Sequence, residues 1–350
     1  MFKIKKKIIS RNNKPFIIAE MSGNHNGSLR NALKIVDLAA KAGADAIKLQ
    51  TYTPDTMTIN SNKNDFIVSG GSIWDGESFY DLYKRAHTPW DWHEKLFSVA
   101  QDEGLICFST PFDKSAVDFL EKLDNPIYKI ASFEINDIPL IRYVAQKNKP
   151  LILSTGIASS EDIELALETI RKVGKNEIAL LKCTSSYPAP IDQANLTMIK
   201  DFEKKYGVVA GLSDHTMGNI SPIVATTLGA KIIEKHFILD KSIGGPDASF
   251  SLDEQEFSIM VKGVRDAEKS IGEVNYNLTQ KQIQGKEYSR SLYIVKDVRK
   301  GEILTTDNVR SIRPGHGLAP KYLDQVIGKK FKNDFSMGTR LTLNIIYNES

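Results

Sequence analysis

FIIAE at residues 16–20, AIKLQ at 46–50 and IIEKH at 232–236 are short apolar runs that close on polar residues. Five more of the same kind lie between them: ICFST (106–110), IYKIASFE (127–134), LILST (151–155), IALLKCTS (178–185) and VAGLSDH (209–215). Such runs read as buried strands, and mostly amphipathic stretches of helical period separate them. Strand then helix, repeated eight times, predicts an α/β fold, a parallel (β/α)8 TIM barrel, whose chemistry gathers at the C-terminal ends of the strands. The polar tips therefore belong to one rim.

The helical stretches carry boundary signals. Asn26–Gly27–Ser28 precedes a helix with Leu29, Leu33, Val36 and Ala40 on one face, and Gly43 closes it. Thr88–Pro89 reads as the N-cap and first position of the next helix. Ser159, Ser160, Glu161 and Asp162 cap a helix running to Gly174, with acidic residues at its positive end. The last barrel helix, at 253–271, places Phe257, Met260, Val261 and Val264 inward. Strand starts are 21 to 31 residues apart, except for a gap of 60 between Ala46 and Ile106. The excess at 53–87 lies on the active rim and carries Trp74, Phe79, Tyr80 and Tyr83, which predicts a lid that shapes a substrate site.

A chain of 350 residues accommodates one large domain and a small one. The barrel is expected over 1–272, a polar linker over 273–288, and a small β-rich domain with Gly turns over 289–350. Hydrophobic content of 41% and charged content of 25% are those of a globular protein, and a net charge of +3 argues against nucleic acid as a partner. The KIKKK cluster at 3–7 reads as the solvated side of an N-terminal strand. No apolar run approaches the roughly 20 residues of a membrane span, and no signal-peptide core follows the start, so a cytoplasmic location is expected. Cys107 and Cys183 lie inside strands and read as small core residues.

His215 and His236 end consecutive strands, near carboxylates, which suits a divalent transition metal with positions left open for water and substrate. His25, in the SGNHNG turn, is placed to reach the same rim, whereas His87, His93 and His316 have no such placement. Lys48 and Lys129 are ammonium groups in otherwise apolar strands, a costly arrangement unless paired. Two readings fit them: a Schiff-base lysine of an aldolase, or a charged clamp for phosphate or carboxylate. Thr110, Ser132, Ser154, Ser185 and Ser213 add hydroxyls at the same rim and favour the clamp. Glu20 and Glu134 are the candidate general acid and base.

The ordered strings IIAEMSGNHNGS, AIKLQTY, FSTPFD, YKIASFE, LSTGIAS, KCTSSYPAP, GLSDHT and EKHF resemble the sialic-acid (nonulosonic acid) synthase family. The tail, with RPGHGL and GKK, resembles that family's C-terminal antifreeze-like (SAF) domain, so the likeness spans essentially the whole chain. YTPDT, GGSIWDGESFYDLY and TPWDWH look most like the pseudaminic-acid branch. Ser185 stands where N-acetylneuraminate synthases tend to carry Asn, a departure at one expected phosphoenolpyruvate contact.

The resemblance implies condensation of phosphoenolpyruvate with an open-chain N-acetylated amino sugar, 2,4-diacetamido-2,4,6-trideoxy-altrose in this branch, with release of phosphate. It implies that Lys48, Thr110, Lys129, Ser132, Ser154, Ser185 and Ser213 hold phosphoenolpyruvate and that His215 and His236 bind Mn²⁺ or Mg²⁺. Glu20 would lie beside a water of the metal and Glu134 near the reacting carbons; Asp247, in the GGPDASFS loop, would contact the sugar or assist proton transfer, and Tyr187 would lie at the sugar. Arg313 would reach the barrel of a second chain in a domain-swapped homodimer and bond an N-acetyl group. N-acetylneuraminate or legionaminate synthesis, a Schiff-base aldolase and a non-catalytic sugar-binding barrel are the competing readings.

Overall fold

The computed structural model describes residues 2–10 and 12–347; residue 1 and residues 348–350, where the expected domains begin and end, lie outside the described residues. A hairpin of β1 (Phe2–Ile4) and β2 (Lys7–Ile9) comes first. All eight apolar runs then form strands: β3 (Phe16–Glu20), β4 (Ala46–Thr51), β5 (Ile106–Pro111), β6 (Tyr128–Ile130), β7 (Leu151–Ser154), β8 (Ile178–Cys183), β9 (Val209–Asp214) and β10 (Ile232–His236). Each pairs in parallel with the next, and β10 pairs with β3 to close the barrel. Among the described residues no helix is long and apolar enough to cross a membrane.

Alternation along each strand sorts the side chains into two cores. Outward residues such as Ile17, Ala19, Ile47, Leu49, Leu153 and Ile233 pack under the surrounding helices. Inward residues Phe16, Ile18, Ala46, Ile106, Phe108, Ile152, Leu181 and Ile232 form the barrel floor, and Phe2, Ile4 and Ile9 of the hairpin plug it from below. The same alternation leaves Lys3, Lys5, Lys6 and Lys7 exposed, so the basic cluster is the wet side of a stopper.

The covering helices are α1 (Leu29–Lys41), then α2 (Pro54–Met57) and α3 (Phe79–Ala86) within the insertion, α4 (His93–Asp102), α5 (Lys114–Lys122), α6 (Ile138–Ala145), α7 (Ser160–Val173), α8 (Met198–Tyr206), α9 (Ile220–Thr227) and α10 (Glu254–Ile271). Ser159 and Asp162 form a reciprocal capping box at the start of α7, and Asp253 and Glu256 do the same for α10. Two expectations need correction. The buried stripe of α1 is Ala32, Ile35, Val36 and Ala39, with Leu33 and Ala40 at its margins, because small residues let the helix approach the sheet. Thr88–Pro89 does not begin an α-helix: a 3-10 turn at Trp90–Trp92 precedes α4, and the Thr88 hydroxyl is engaged by His25 Nε2 at 3.1 Å.

The chain divides after Gly272 into two compact units. The second holds the short helix α11 (Gln280–Gly285), the antiparallel pair β11 (Ser291–Ile294) and β12 (Val309–Ile312), and α12 (Leu323–Val326). Its own core contains Leu292, Ile294, Leu304, Val309, Val326, Phe331 and Leu341.

Candidate active site

Two residues above the apolar floor, the inward positions turn polar. Ile18 is followed by Glu20, Ala46 by Lys48, Phe108 by Thr110, Ile127 by Lys129, Ile152 by Ser154, and Ile232 by Glu234. With Ser213 they form one buried layer. Strand register sets His236 beside Glu20, Glu20 beside Lys48, and Glu234 beside Ser213. Lys48 Nζ lies 2.7 Å from Glu20 and 3.6 Å from Glu234, and donates to Thr110 Oγ1 at 3.2 Å. Lys129 Nζ donates to Ser154 Oγ at 2.6 Å and lies 3.8 Å from the same Glu234 oxygen, which also accepts from Ser213 at 3.0 Å. Gln50 donates to Glu20 at 3.0 Å.

Two ammonium groups thus face two carboxylates out of water. Burial works against the charge on Lys48, but Glu20 and Glu234 outweigh it and raise its pKa. Burial likewise opposes ionisation of Glu234, and Lys129 and Lys48 overcome it, holding this carboxylate below its ordinary range. Lys129 has the weaker partner geometry, and burial lowers its pKa. The clamp expected from Lys48 and Lys129 is therefore internally neutralised, and Glu234 stands at its centre. The sequence placed Glu234 at a strand tip; its spacing from His236, on the same strand face, was the available signal of its role.

Above this layer the strand expected through IYKIASFE stops at Ile130. Residues Ser132–Glu134 instead make a 3-10 turn, closed by the Glu134 amide on the Ala131 carbonyl at 3.2 Å. The turn buries Ser132 and turns Phe133 outward. Ser132 Oγ accepts from the Gly156 amide at 2.6 Å and from Ser185 Oγ at 2.9 Å. Cys183 Sγ lies 3.8 Å from Ser185 Oγ and 3.8 Å from His215 Nδ1, so this thiol lines the site instead of filling the core. Cys107 is a core residue. Glu134 Oε2 is buried without a hydrogen-bond partner among the described residues, and burial pushes the carboxyl up to about 7, only partly opposed by Lys129.

The two histidines stand with ring centroids 5.2 Å apart. His215 Nδ1 lies 3.0 Å from the Thr184 carbonyl, which fixes that nitrogen as a donor; burial opposes charge on the ring, but Cys183 and the Thr184 carbonyl outweigh it and raise its pKa. Burial, with His215 and Lys48 nearby, holds His236 well below its ordinary pKa and keeps it neutral; its buried Nδ1 makes no hydrogen bond among the described residues and lies 3.7 Å from Asp247 Oδ2. Among the described residues no cluster of three His, Cys, Asp or Glu side chains is gathered as a ready metal cage. The adjacent imidazoles of His215 and His236, with the Nε2 proton of His215 given up on binding, fit a divalent ion that takes its other ligands from substrate and water. The Asp247 carboxyl is raised by burial and restrained by Ser22 and the Gly23 amide. Tyr187 packs on His215 at 4.5 Å and on Phe250 at 5.3 Å, and Phe250 reaches His236 at 5.0 Å.

His25 is not at this centre: Thr88 and the Gly27 amide occupy its two nitrogens. Arg313 belongs to the second unit, exposed in the turn after β12 with a cis peptide to Pro314. Sequence reasoning assigned no role to Glu234, Gly156 and Phe250, although GGPDASFS and LSTG each border a residue that it did single out.

The Glu134 carboxyl yields a pH prediction. Between its ordinary 4.5 and about 7, the folded chain holds a proton that the unfolded chain has lost, so stability falls as pH rises through that window. In Glu134→Gln that component of the slope should vanish from urea denaturation measured between about pH 5 and pH 8. Identical slopes in the two proteins would place the carboxyl in its ordinary range.

The NeuB family profile matches residues 35–276, and the SAF domain profile matches 289–344. A pseudaminic acid synthase of Campylobacter jejuni is 48% identical over 328 residues, covering 94% of this chain and 95% of its own. A pseudaminic acid synthase of Helicobacter pylori is 44% identical over 333 residues, covering 95% and 98%. The crystal structure of N-acetylneuraminic acid synthetase from Leptospira borgpetersenii matches with a TM-score of 0.72 at 32% identity, covering 81% of this chain and 94% of that one. With a profile match across most of the barrel and close relatives along nearly its whole length, this chain belongs to the NeuB family of sialic-acid-type synthases.

Proposed function

We propose that this chain joins phosphoenolpyruvate to the aldehyde of 2,4-diacetamido-2,4,6-trideoxy-altrose, giving pseudaminic acid and phosphate. The observation that carries this reading is the pair of buried lysines, Lys48 bonded to Thr110 and Lys129 to Ser154, with the hydroxyls of Ser132, Ser185 and Ser213 on the same barrel rim. Ammonium groups and hydroxyls so grouped suit the carboxylate and phosphate of one small anion. The likeness to the Campylobacter and Helicobacter synthases supports this sugar over those of N-acetylneuraminate or legionaminate synthesis.

On entry, phosphoenolpyruvate would exchange the carboxylate partners of Lys48 and Lys129 for its own anionic groups. So positioned, its carbon 3 attacks the aldehyde carbon; the enol π pair forms the new C–C bond and carbon 2 becomes electron-poor. Water adds at carbon 2 and loses a proton to a carboxylate, for which Glu20, freed from Lys48, is the candidate. Glu134, able to hold a proton near neutrality, is the candidate donor to the sugar oxygen. The hydroxyl on carbon 2 then collapses to the keto group, its proton passing to solvent, and the C–O electron pair leaves with phosphate. Asp247 and Tyr187 would contact the sugar. His215 and His236 would hold Mn²⁺ or Mg²⁺, which when bound supplies Lewis acidity at the aldehyde oxygen. The lowered pKa of Lys129 favours an imine, but its ties to Ser154 and Glu234 suit a fixed cation better.

We also infer a homodimer in which Arg313 of a second copy completes the sugar site. Its turn is pinned by Ser291, which donates to the Pro314 carbonyl at 2.7 Å and accepts from the Gly317 amide at 2.8 Å, so an exposed guanidinium projects from a rigid base.

Phosphate release should require phosphoenolpyruvate and the diacetamido sugar, stop with chelator and return with Mn²⁺. Release with N-acetylmannosamine alone would overturn the choice of sugar, and borohydride trapping with pyruvate in the presence of chelator would favour the aldolase. A Cβ at residue 156 would strike the Ser185 hydroxyl and stand 2.5 Å from Ser132 Oγ, so Gly156→Ala should raise the KM for phosphoenolpyruvate by about tenfold or more with the fold retained. An unchanged KM would remove this cradle from the anion site. Mixed Arg313→Ala and Lys129→Ala chains should regain activity as heterodimers; proven subunit exchange without recovery counts against the shared site.

A further inference from the structure

The insertion is a folded element with its own scaffold. Ile67 bridges Ser78, the Val68 amide donates to Glu77 at 2.9 Å, and the Gly76 amide donates to Val68 at 2.9 Å. At the tip the Asp75 carboxylate accepts from the amides of Gly70, Gly71 and Ser72 at 3.2, 2.8 and 2.9 Å. Arg85 on α3 grips Glu77 through Nε at 3.3 Å and a terminal nitrogen at 2.7 Å. Trp74 is therefore presented from a braced tip. Its indole N–H donates to the Pro246 carbonyl at 3.0 Å, directly before Asp247. Its ring stands 5.5 Å from Tyr187, the residue that packs on His215, with Phe250 buried behind. Trp74 and Tyr187 are themselves half-buried.

We propose that Trp74 determines sugar specificity: with Tyr187 it forms an aromatic wall that takes a deoxy methyl or a second N-acyl methyl in preference to a hydroxymethyl group. The inference rests on the proposed condensation with an N-acylated sugar. Packing a methyl against an indole face removes apolar surface from water on both sides. A hydroxymethyl group there would give up its bonds to water without gaining a partner. The indole N–H cannot serve, because Pro246 occupies it. The same bond fixes the loop that carries Asp247 and Phe250, so the wall and the base of the sugar site move together.

The test compares wild type, Trp74→Phe and Trp74→Ala in phosphate release and in calorimetric titration. The sugars are 2,4-diacetamido-2,4,6-trideoxy-altrose and N-acetylmannosamine, which carries the hydroxymethyl group. In Trp74→Ala the KM and dissociation constant for the diacetamido sugar should rise about tenfold or more, while the dissociation constant for N-acetylmannosamine changes less than about threefold. The KM for phosphoenolpyruvate should stay within about twofold, and Trp74→Phe should keep most of the preference between sugars. Equal losses for both sugars, or a change confined to kcat or to phosphoenolpyruvate, would overturn the wall. Absence of turnover with retained, Trp74-dependent binding of the diacetamido sugar would sink the reaction and leave the wall standing. Binding of neither sugar would overturn the wall itself.

Discussion

The buried quartet of Lys48, Glu20, Glu234 and Lys129 is the constraint on which the rest of the site depends. Any one of these charges alone inside the barrel would carry a large desolvation penalty, and balance makes the layer tolerable. Glu234 needs the lysines in order to stay ionised and Lys48 needs the carboxylates to keep its proton, whereas burial raises the pKa of Glu20 even beside Lys48. A balanced layer is also a responsive one. An anion that took over the lysines would leave Glu20 buried without its cation and raise its affinity for a proton further.

Everything around the quartet keeps it dry and fixed. Below, the hairpin stopper of Phe2, Ile4 and Ile9 seals the floor, so the polar layer opens only upward. Outside, Lys235 pairs with Asp214 at 2.6 Å, and Asp214 also accepts from Thr216 at 2.8 Å. These contacts brace the strand ends that carry His215 and His236. Above, Tyr187 and Phe250 pack on the imidazoles, and Trp74 from the insertion joins them. Preorganisation of this kind supports chemistry that relies on placement and electrostatics.

Much of this was legible residue by residue. Apolar runs with polar tips mark strands because a buried strand must satisfy its backbone within the sheet while its final inward residue meets the cavity. Lys48 and Lys129 stood out because an ammonium in an apolar run is too costly to be incidental. The helix ends at Ser159 and Asp253 were local matters, decided by side chains within one turn of the orphan amides. Other features had no local trace. Ser132 and Glu134 read as strand residues, yet a 3-10 turn carries them, because the ladder between β5 and β6 is a single pair and ends too early to hold them extended. Cys183 and Cys107 looked alike in sequence, and their strand parity placed one at the site and the other in the core.

The sequence by itself determined the barrel, the rim and the residue types found there, since strand period and the cost of burying charge act along the chain. Tertiary structure alone decided which carboxylate meets which lysine. Glu234 lies 186 residues from Lys48 and 105 from Lys129, and only closure of β10 onto β3 brings them within reach. The placement of Trp74 was decided in the same way, by the packing of a distant loop against Pro246 and Tyr187. Coulomb and packing energies depend on distance in space, and that distance exists only once the barrel has closed.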